Sequence, residues 1–421
     1  MKEVEKMTDK IYYRFSSDTG NGSMKMHING QKIMMPSVIN EENRADEIEK
    51  VTFLSKAEKD EYFKHFLDHL YASISSGSLK DSPRFFVGNA ALNRKASATG
   101  FDINDPLGKS ESDLPLMLNL PVIAGQAVKD AYFKGQNLSS PMEIHVGLTL
   151  ALPISEGRQM GVIDNYKKRY TDSTHVVTFH NFASPITVTV HVDHCYVGLE
   201  GEVAQVAIRN SIKKYPRMIN QMVADLHKHY PLLKAITAEQ LSKAPSVVLV
   251  DIGGKTTDVS VIINGKVNRN ASGSLMRGYD LVLQQAMQDL NAAGYNFASI
   301  GDLRRYLAEP ASPFLPGSKK KVEKVVNGRM EDLNKEIVDY LSQVLRKAGA
   351  AIQVGFVTGG GSIALGENSA LRGEIAQKMS VFNAGDAVPV VWAPKEDAQW
   401  LNADGLELIA QALKYWLKGV A

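Results

Sequence analysis

Carboxylates, glycines and threonines gather in one short stretch, Val247-Val-Leu-Val-Asp-Ile-Gly-Gly-Lys-Thr-Thr-Asp-Val-Ser-Val-Ile262. Val247 to Val250 read as a buried strand that Asp251 ends, and Gly253 and Gly254 permit a tight reversal. Thr256, Thr257 and Asp258 lead into a returning apolar run. Such a turn presents backbone N–H groups and hydroxyls to an anion. A carboxylate at its mouth can hold a hydrated Mg²⁺ over the same phosphates. The plan recurs in Phe15-Ser-Ser-Asp-Thr-Gly-Asn-Gly-Ser-Met-Lys-Met-His-Ile28, with Asp18 before Gly20 and Gly22 and with Lys25 beyond them. Alone, that second pattern is a weak signal. Paired with the first, it predicts two related halves serving one nucleotide. A third cluster, Gly355-Phe-Val-Thr-Gly-Gly-Gly-Ser362, lets the backbone approach a flat base or a ribose closely.

The three clusters, in this order, resemble the motifs of the actin-like ATPase superfamily. Asp18 to Lys25 is similar to its first phosphate motif, Asp251 to Asp258 to the second, and Val357 to Ser362 to its adenosine motif. Within that superfamily, Arg84-Phe-Phe-Val-Gly-Asn-Ala90, Val146-Gly-Leu-Thr-Leu-Ala-Leu-Pro153 and Ser274-Leu-Met-Arg-Gly-Tyr279 resemble segments of the ParM-type plasmid-segregation actins. The resemblance implies an α/β chain with the two-domain actin-like fold, a duplicated ribonuclease H-like unit with a nucleotide cleft between the domains. It implies domain I over 1–204 with an insertion around 31–84, domain II over 205–404 with an insertion around 265–335, and a terminal helix over 405–421 returning to domain I.

It also implies ATP, or GTP, with Mg²⁺. Asp18 and Asp251 would hold the metal through water, and Lys25 would reach the phosphates as a point charge. Gly20, Asn21 and Gly22, with Gly253, Gly254, Lys255, Thr256 and Thr257, would form the cradle. Gly359, Gly360, Gly361 and Ser362 would meet base and ribose. In this superfamily an acidic or amide residue at the first crossover orients the attacking water. Glu200 in Leu199-Glu-Gly-Glu-Val-Ala204 resembles it, although Leu199 stands where a proline is usual, and this leaves Glu200 and Glu202 as alternatives. Either could instead be a solvated acid in a first helical turn. The partners implied are further copies of the chain, in a filament, and a DNA-binding adaptor on a plasmid centromere.

Composition narrows the classes. A chain of 421 residues suits two domains better than one core. A net charge of +2 gives no general pull toward nucleic acid or acidic membranes. A single cysteine, Cys195, excludes an internal disulfide and fits a reducing cytoplasm. The start of the chain has no apolar signal core, and no window reaches the ~18 apolar residues of a spanning helix. Direct nucleic-acid binding and membrane insertion are therefore not expected. The basic run at Lys319 to Lys324 reads as a solvated helix end.

The positioning elements follow from period and punctuation. Residues 10–40 read as a meander around Asp18, with a turn at Asn29-Gly30. Tyr62 to Tyr71 fall at helical spacing, as do Leu116 to Phe133, Leu199 to about His229, Leu275 to Ala293 and Asp332 to Lys347. Glu143 to Ala151 and Val388 to Trp392 read as strands. Ile186, Val188, Val190 and Val192 alternate with polar residues, as in a hairpin strand. Residues 94–115 and 308–318 read as loops. His65 and His69 have metal-ligand spacing without a third ligand, and strand alternation parts His194 from His191 and Cys195, so no metal centre is expected from either. Asp397 to Leu406 resembles the second crossover, where small residues let two helices approach. Leu406 to Leu417 reads as an amphipathic helix packing on domain I. A polymerising ATPase, a small-molecule kinase and a chaperone ATPase share this fold. The short stretch after the second crossover disfavours the chaperone, and the sequence holds no clear extra Asp motif for the kinase.

Overall fold

The computed structural model describes residues 10–43, 47–94, 98–102, 108–349, 351–368 and 370–413. Contacts divide these into two compact units. Unit 1 draws on Met1–Leu152, Gln159–Gly198 and Leu406–Ala421, and unit 2 on Pro153–Arg158 and Leu199–Gly405.

Unit 1 is built on a ten-stranded sheet. Its strands are β1 (Tyr12–Thr19), β2 (Ser23–Ile28), β3 (Gln31–Pro36), β4 (Val38–Glu41), β5 (Tyr71–Ser75), β6 (Phe85–Val87), β7 (Thr99–Gly100), β8 (Met142–Leu152), β9 (His175–Phe179) and β10 (Ile186–Leu199). Their order is β3-β2-β1-β8-β10-β9-β5-β6-β4-β7. β1 is antiparallel to β2 and parallel to β8. The Leu114–Phe133 helix is apolar on nearly all sides because it lies inside the core, against residues such as Phe15, Leu148 and Val177. On β10 the even-numbered residues from Ile186 to Val192 are buried, as their alternation with Thr187, Thr189 and His191 requires.

Unit 2 has a six-stranded sheet of β11 (Val247–Ile252), β12 (Thr257–Ile263), β13 (Lys266–Val267), β14 (Gly273–Leu275), β15 (Val354–Thr358) and β16 (Val390–Trp392). The main order is β13-β12-β11-β15-β16, with β14 on β12. β11 repeats the setting of β1, with an antiparallel hairpin partner on one side and a parallel strand on the other. Alternation along β11 feeds two cores. Val248 and Val250 pack with the Tyr279–Ala292, Pro316–Ala348 and Leu371–Phe382 helices. Val247 and Leu249 pack with the Glu202–Arg209 and Pro216–His229 helices. A strand covered on both faces reads as an unbroken apolar run, which is what Val247 to Val250 show.

Several elements differ from their periodicity. The expected helix over Leu199–His229 is three helices, Glu202–Arg209, Ser211–Lys214 and Pro216–His229. Asn210 ends the first, its side-chain amide donating to the Val206 carbonyl at 2.8 Å, and Pro216 supplies no N–H and so starts a new helix. The helical spacing at Tyr62 overruns: the helix is Lys56–Lys64, a 3₁₀ turn follows, and Tyr71 begins β5. Leu275 belongs to a strand and the next helix starts at Tyr279. The last long helix starts at Pro316, inside the expected 308–318 loop, and places Lys320, Lys321 and Lys324 on an exposed face. The Leu401–Ala412 helix covers the start of the terminal amphipathic segment, and Trp416 and Leu417 lie outside the described residues. No helix among the described residues is long and apolar enough to cross a membrane.

Candidate functional site

In unit 1 the β1–β2 hairpin gathers five of the expected residues, Asp18, Gly20, Asn21, Gly22 and Lys25. Asp18 sits opposite Lys25 in the register, and Lys25 Nζ lies 3.9 Å from Asp18 Oδ2. Gly20 donates its N–H to the Asp18 carbonyl at 3.0 Å. A Cβ on Gly20 would lie 2.9 Å from the Ser23 carbonyl and 3.2 Å from Lys25 Nζ, so a side chain there would fill the concavity beneath the lysine. Asn21 is half-buried and Gly22 exposed at the tip. Behind the turn runs a buried polar chain that sequence reasoning missed. Ser17 Oγ and Thr19 Oγ1 are 3.0 Å apart, and Asn119 Nδ2 reaches Thr19 Oγ1 at 3.2 Å and the Tyr170 hydroxyl at 3.3 Å. Burial pushes that tyrosine up to about 12, so it stays a neutral hydroxyl.

In unit 2 the β11–β12 turn closes by Gly253 N–H donating to the Thr256 carbonyl at 2.8 Å. Asp251 is half-buried at the end of β11, opposite the buried Asp258. Asp258 accepts from Ser274 Oγ at 2.5 Å. The turn is held from outside by the segment before the Tyr279–Ala292 helix. Tyr279 N–H donates to the Gly253 carbonyl at 3.0 Å, Asp280 N–H to the Gly254 carbonyl at 2.6 Å, and Thr257 Oγ1 to the Arg277 carbonyl at 2.8 Å. With their carbonyls engaged there, the turn peptides have a fixed orientation. Gly278 must lack a side chain, because a Cβ would sit 2.5 Å from the Gly254 oxygen. The Asp280 carboxylate, ion-paired to Arg304, lies where a side chain on Gly254 would go. Lys255 and Thr256 are half-buried, and Thr257 is buried.

The third glycine cluster packs against the end of β11 and the turn that follows it. Gly359 follows β15 with φ +91°, and its missing side chain makes room for the Asp251 carboxylate and the Ile252 carbonyl. Gly361 donates to the Ile252 carbonyl at 2.8 Å, and its Cβ would meet the Gly253 oxygen at 3.0 Å. These two glycines serve the seam between β15 and the phosphate-type turn, whereas Gly360 is the exposed one. Ser362 is buried, with its hydroxyl donating to the Gly359 carbonyl at 2.8 Å.

Glu200 and Glu202 have distinct settings. Glu202 is half-buried and 3.6 Å from Arg269. Glu200 is 7% exposed, and its carbonyl faces Ser260 Oγ at 3.5 Å. The next residue, Gly201, has φ +75°, and a side chain there would run into Ser260. Its N–H donates to Asn402 Oδ1 at 3.1 Å, and Asn402 Nδ2 donates to Asp251 Oδ2 at 2.8 Å. Asn402 therefore joins the Glu200 turn to Asp251. Reading 397–406 for small residues passed over it, and an amide just ahead of the close-packed Gly405 was the available signal. Gly405 does fill the expected role: a side chain on it would strike the Val203 carbonyl.

Among the described residues no group of three or more His, Cys, Asp or Glu is placed to hold a metal. His65 pairs with Glu61, and His69 stacks on Tyr62 with ring centroids 4.7 Å apart. His191 lies 2.9 Å from Glu143 and stacks on His145. Single carboxylates beside glycine turns fit a magnesium carried on nucleotide phosphates, which needs one or two carboxylates and water instead of a protein cage. Glycine positions that a Cβ would close fit phosphates likewise.

Residues 249–370 match the family model described as archaeal actin homologue MreB-like, C-terminal. No curated protein matches the chain by sequence. Solved structures are similar over nearly the whole length. The actin-like protein Alp7A is 16% identical, with a TM-score of 0.65 over 97% of this chain and 98% of that one. An archaeal actin homologue is 16% identical, with 0.57 over 95% and 99%. ParM of Bacillus thuringiensis, solved with ATP, is 15% identical, with 0.55 over 97% and 100%. The duplicated hairpin-and-parallel-strand setting, the glycine turns and these likenesses agree: the chain has the two-domain α/β fold of the actin-like proteins, ParM and Alp7A among them.

Proposed function

We propose that the chain is a polymerising ATPase whose cytoplasmic filaments segregate plasmid DNA through an adaptor protein. The observation that carries this is the placement of Asp251, held at the mouth of a glycine turn and joined through Asn402 to the turn bearing Glu200. Similar folds have been solved as ParM with ATP and with ADP, which supports a nucleotide in the same role here.

In this reading the turns at Asp18–Lys25 and Asp251–Thr257 bind the phosphates of one ATP, or GTP. Magnesium, when bound, neutralises charge on the β- and γ-oxygens. Asp18 and Asp251 would hold its water shell, Lys25 adds a point charge, and the peptide N–H groups of Asn21, Gly22, Gly254 and Lys255 with the Thr256 hydroxyl orient the phosphates, while Gly20, Gly253 and Thr257, whose own donors close the turns, shape the cradle. Glu200 orients the attacking water in line; Glu202, already paired to Arg269, is less suited. The peptides of Gly359, Gly360, Gly361 and Ser362 border base and ribose, with Gly360 the exposed one. Loss of the γ-phosphate then releases the contacts that favoured assembly. A near-neutral net charge of +2 supports a DNA contact made through the adaptor and not by this chain.

Sedimentation and light scattering with ATP, GTP, ADP and no nucleotide test this. Assembly with a nucleoside triphosphate, followed by disassembly as it is hydrolysed, is expected. A monomer in every condition, together with a phosphorylated small molecule among the products, would replace the reading with a kinase.

A further inference from the structure

We propose that Asn402 is a positioning residue that makes the Asp251 carboxylate and the Glu200–Gly201 peptide respond to nucleotide as one unit. The inference rests on the nucleotide reading above and extends it to a residue outside the phosphate turns.

Asn402 is 7% exposed, in the first turn of the Leu401–Ala412 helix. Its amide uses both ends: Nδ2 donates to Asp251 Oδ2 at 2.8 Å, and Oδ1 accepts from Gly201 N–H at 3.1 Å. Among small side chains, only an amide offers a fixed donor and acceptor side by side; an ionised carboxylate has no donor, and an aliphatic isostere has neither. Each of its partners is fixed from another side. The Asp251 carboxylate also abuts Gly359, whose missing side chain makes the room. Gly201 is backed against Ser260 in a left-handed conformation that glycine alone adopts easily. The Asn402 backbone is fixed as well, because three residues later Gly405 meets the Val203 carbonyl at a distance that tolerates no Cβ. A change in charge or hydration at Asp251 therefore acts on the Gly201 peptide through one rigid amide. That peptide opens the Glu202–Arg209 helix and carries Glu200, the residue proposed to orient water.

Two variants test this beside the unaltered chain. Asn402→Ala removes both hydrogen bonds. Asn402→Asp, nearly isosteric, keeps an acceptor for Gly201 and sets a carboxylate against Asp251. Hydrogen exchange reads the Gly201 amide with and without Mg-ATP, and steady-state kinetics separate kcat from KM and give the Mg²⁺ needed for half-maximal rate.

Outer-shell partners of metal sites cost about 10–100-fold when removed, and a kcat loss of that size is expected in both variants with KM for ATP within about threefold of the unaltered chain. The Gly201 amide should exchange about tenfold or more faster in Asn402→Ala, stay protected in Asn402→Asp, and gain protection from Mg-ATP only when Asn402 is present. A purely structural role would lower the melting temperature and leave kcat per folded molecule, and the Mg²⁺ requirement, unchanged. That result in a folded Asn402→Asp chain overturns the proposal alone, as does unaltered Gly201 exchange in Asn402→Ala. An unaltered chain that neither binds nor hydrolyses Mg-ATP overturns the nucleotide reading and this proposal with it.

Discussion

Glu200 and Glu202 differ by two positions and by nearly everything around them. Sequence alone left them as alternatives, because both begin the same crossover and no spacing rule separates them. The distinction lies in tertiary contacts: Gly201 reverses the chain between them, burying one and leaving the other beside Arg269. Glu200→Ala should keep Mg-ATP binding and lose most turnover, since water positioning counts in the transition state, and Glu202→Ala should keep both. Single-turnover hydrolysis on matched, nucleotide-saturated samples checks both, and normal turnover in Glu200→Ala would move the role elsewhere. Glycines sort in the same way. Gly405→Ala forces a side chain against the Val203 carbonyl and should cost about 1–3 kcal/mol, the usual range for overpacking. Gly328→Ala, on an open face of the Pro316–Ala348 helix, should gain about 0.5–1 kcal/mol from helix propensity. Urea denaturation of the two variants measures these opposite signs. The first was legible as a small residue in a crossover motif. Asn402 was not, because a polar residue in a helical turn has many harmless readings until its two partners are known.

At the scale of elements, strands buried on both faces were the most legible, since a run such as Val247 to Val250 has few other uses. Helix starts were least legible. Apolar spacing placed one at Leu275, but Gly273–Leu275 pairs with β12, and the extended Gly278 holds the chain against Gly253 and Gly254 before the helix can begin. The buried Ser17–Thr19–Asn119 chain was invisible for a related reason, because Asn119 lies 100 residues from Thr19. Gly278→Ala would push on the Gly254 carbonyl and tilt the turn peptides away from a bound phosphate. The variant should fold, and saturating Mg-ATP should raise its melting temperature much less than that of the unaltered chain. An equal shift in both would show that the latch does not set the turn.

For the molecule as a whole, acid stability follows from buried imidazoles in unit 1. Burial, reinforced by Arg84 and Lys50, lowers His180 from 6.5 to about 4, and burial also lowers His175, whose Nε2 faces the Tyr170 carbonyl at 2.9 Å. The unfolded chain therefore takes up protons first. The contribution of His180 is complete above 6.5 and disappears as pH falls from there toward 4, and that of His175 falls in the same direction. His180→Gln should flatten the fall in melting temperature across that interval, and an unchanged slope would assign acid lability to other groups. One further consequence comes from Arg14, whose guanidinium grips Glu407 at 2.7 and 3.0 Å while Glu407 also accepts from Ser16 Oγ at 3.1 Å. The residues of β1 leave the ribosome early, yet their carboxylate partner arrives 393 positions after Arg14. At roughly 5–20 residues per second, β1 waits tens of seconds for it during translation. Unit 2 ends at Gly405 and is complete just before Glu407 arrives, so a released chain truncated after Gly405 should offer chaperones an unfinished unit 1 joined to a protease-resistant unit 2.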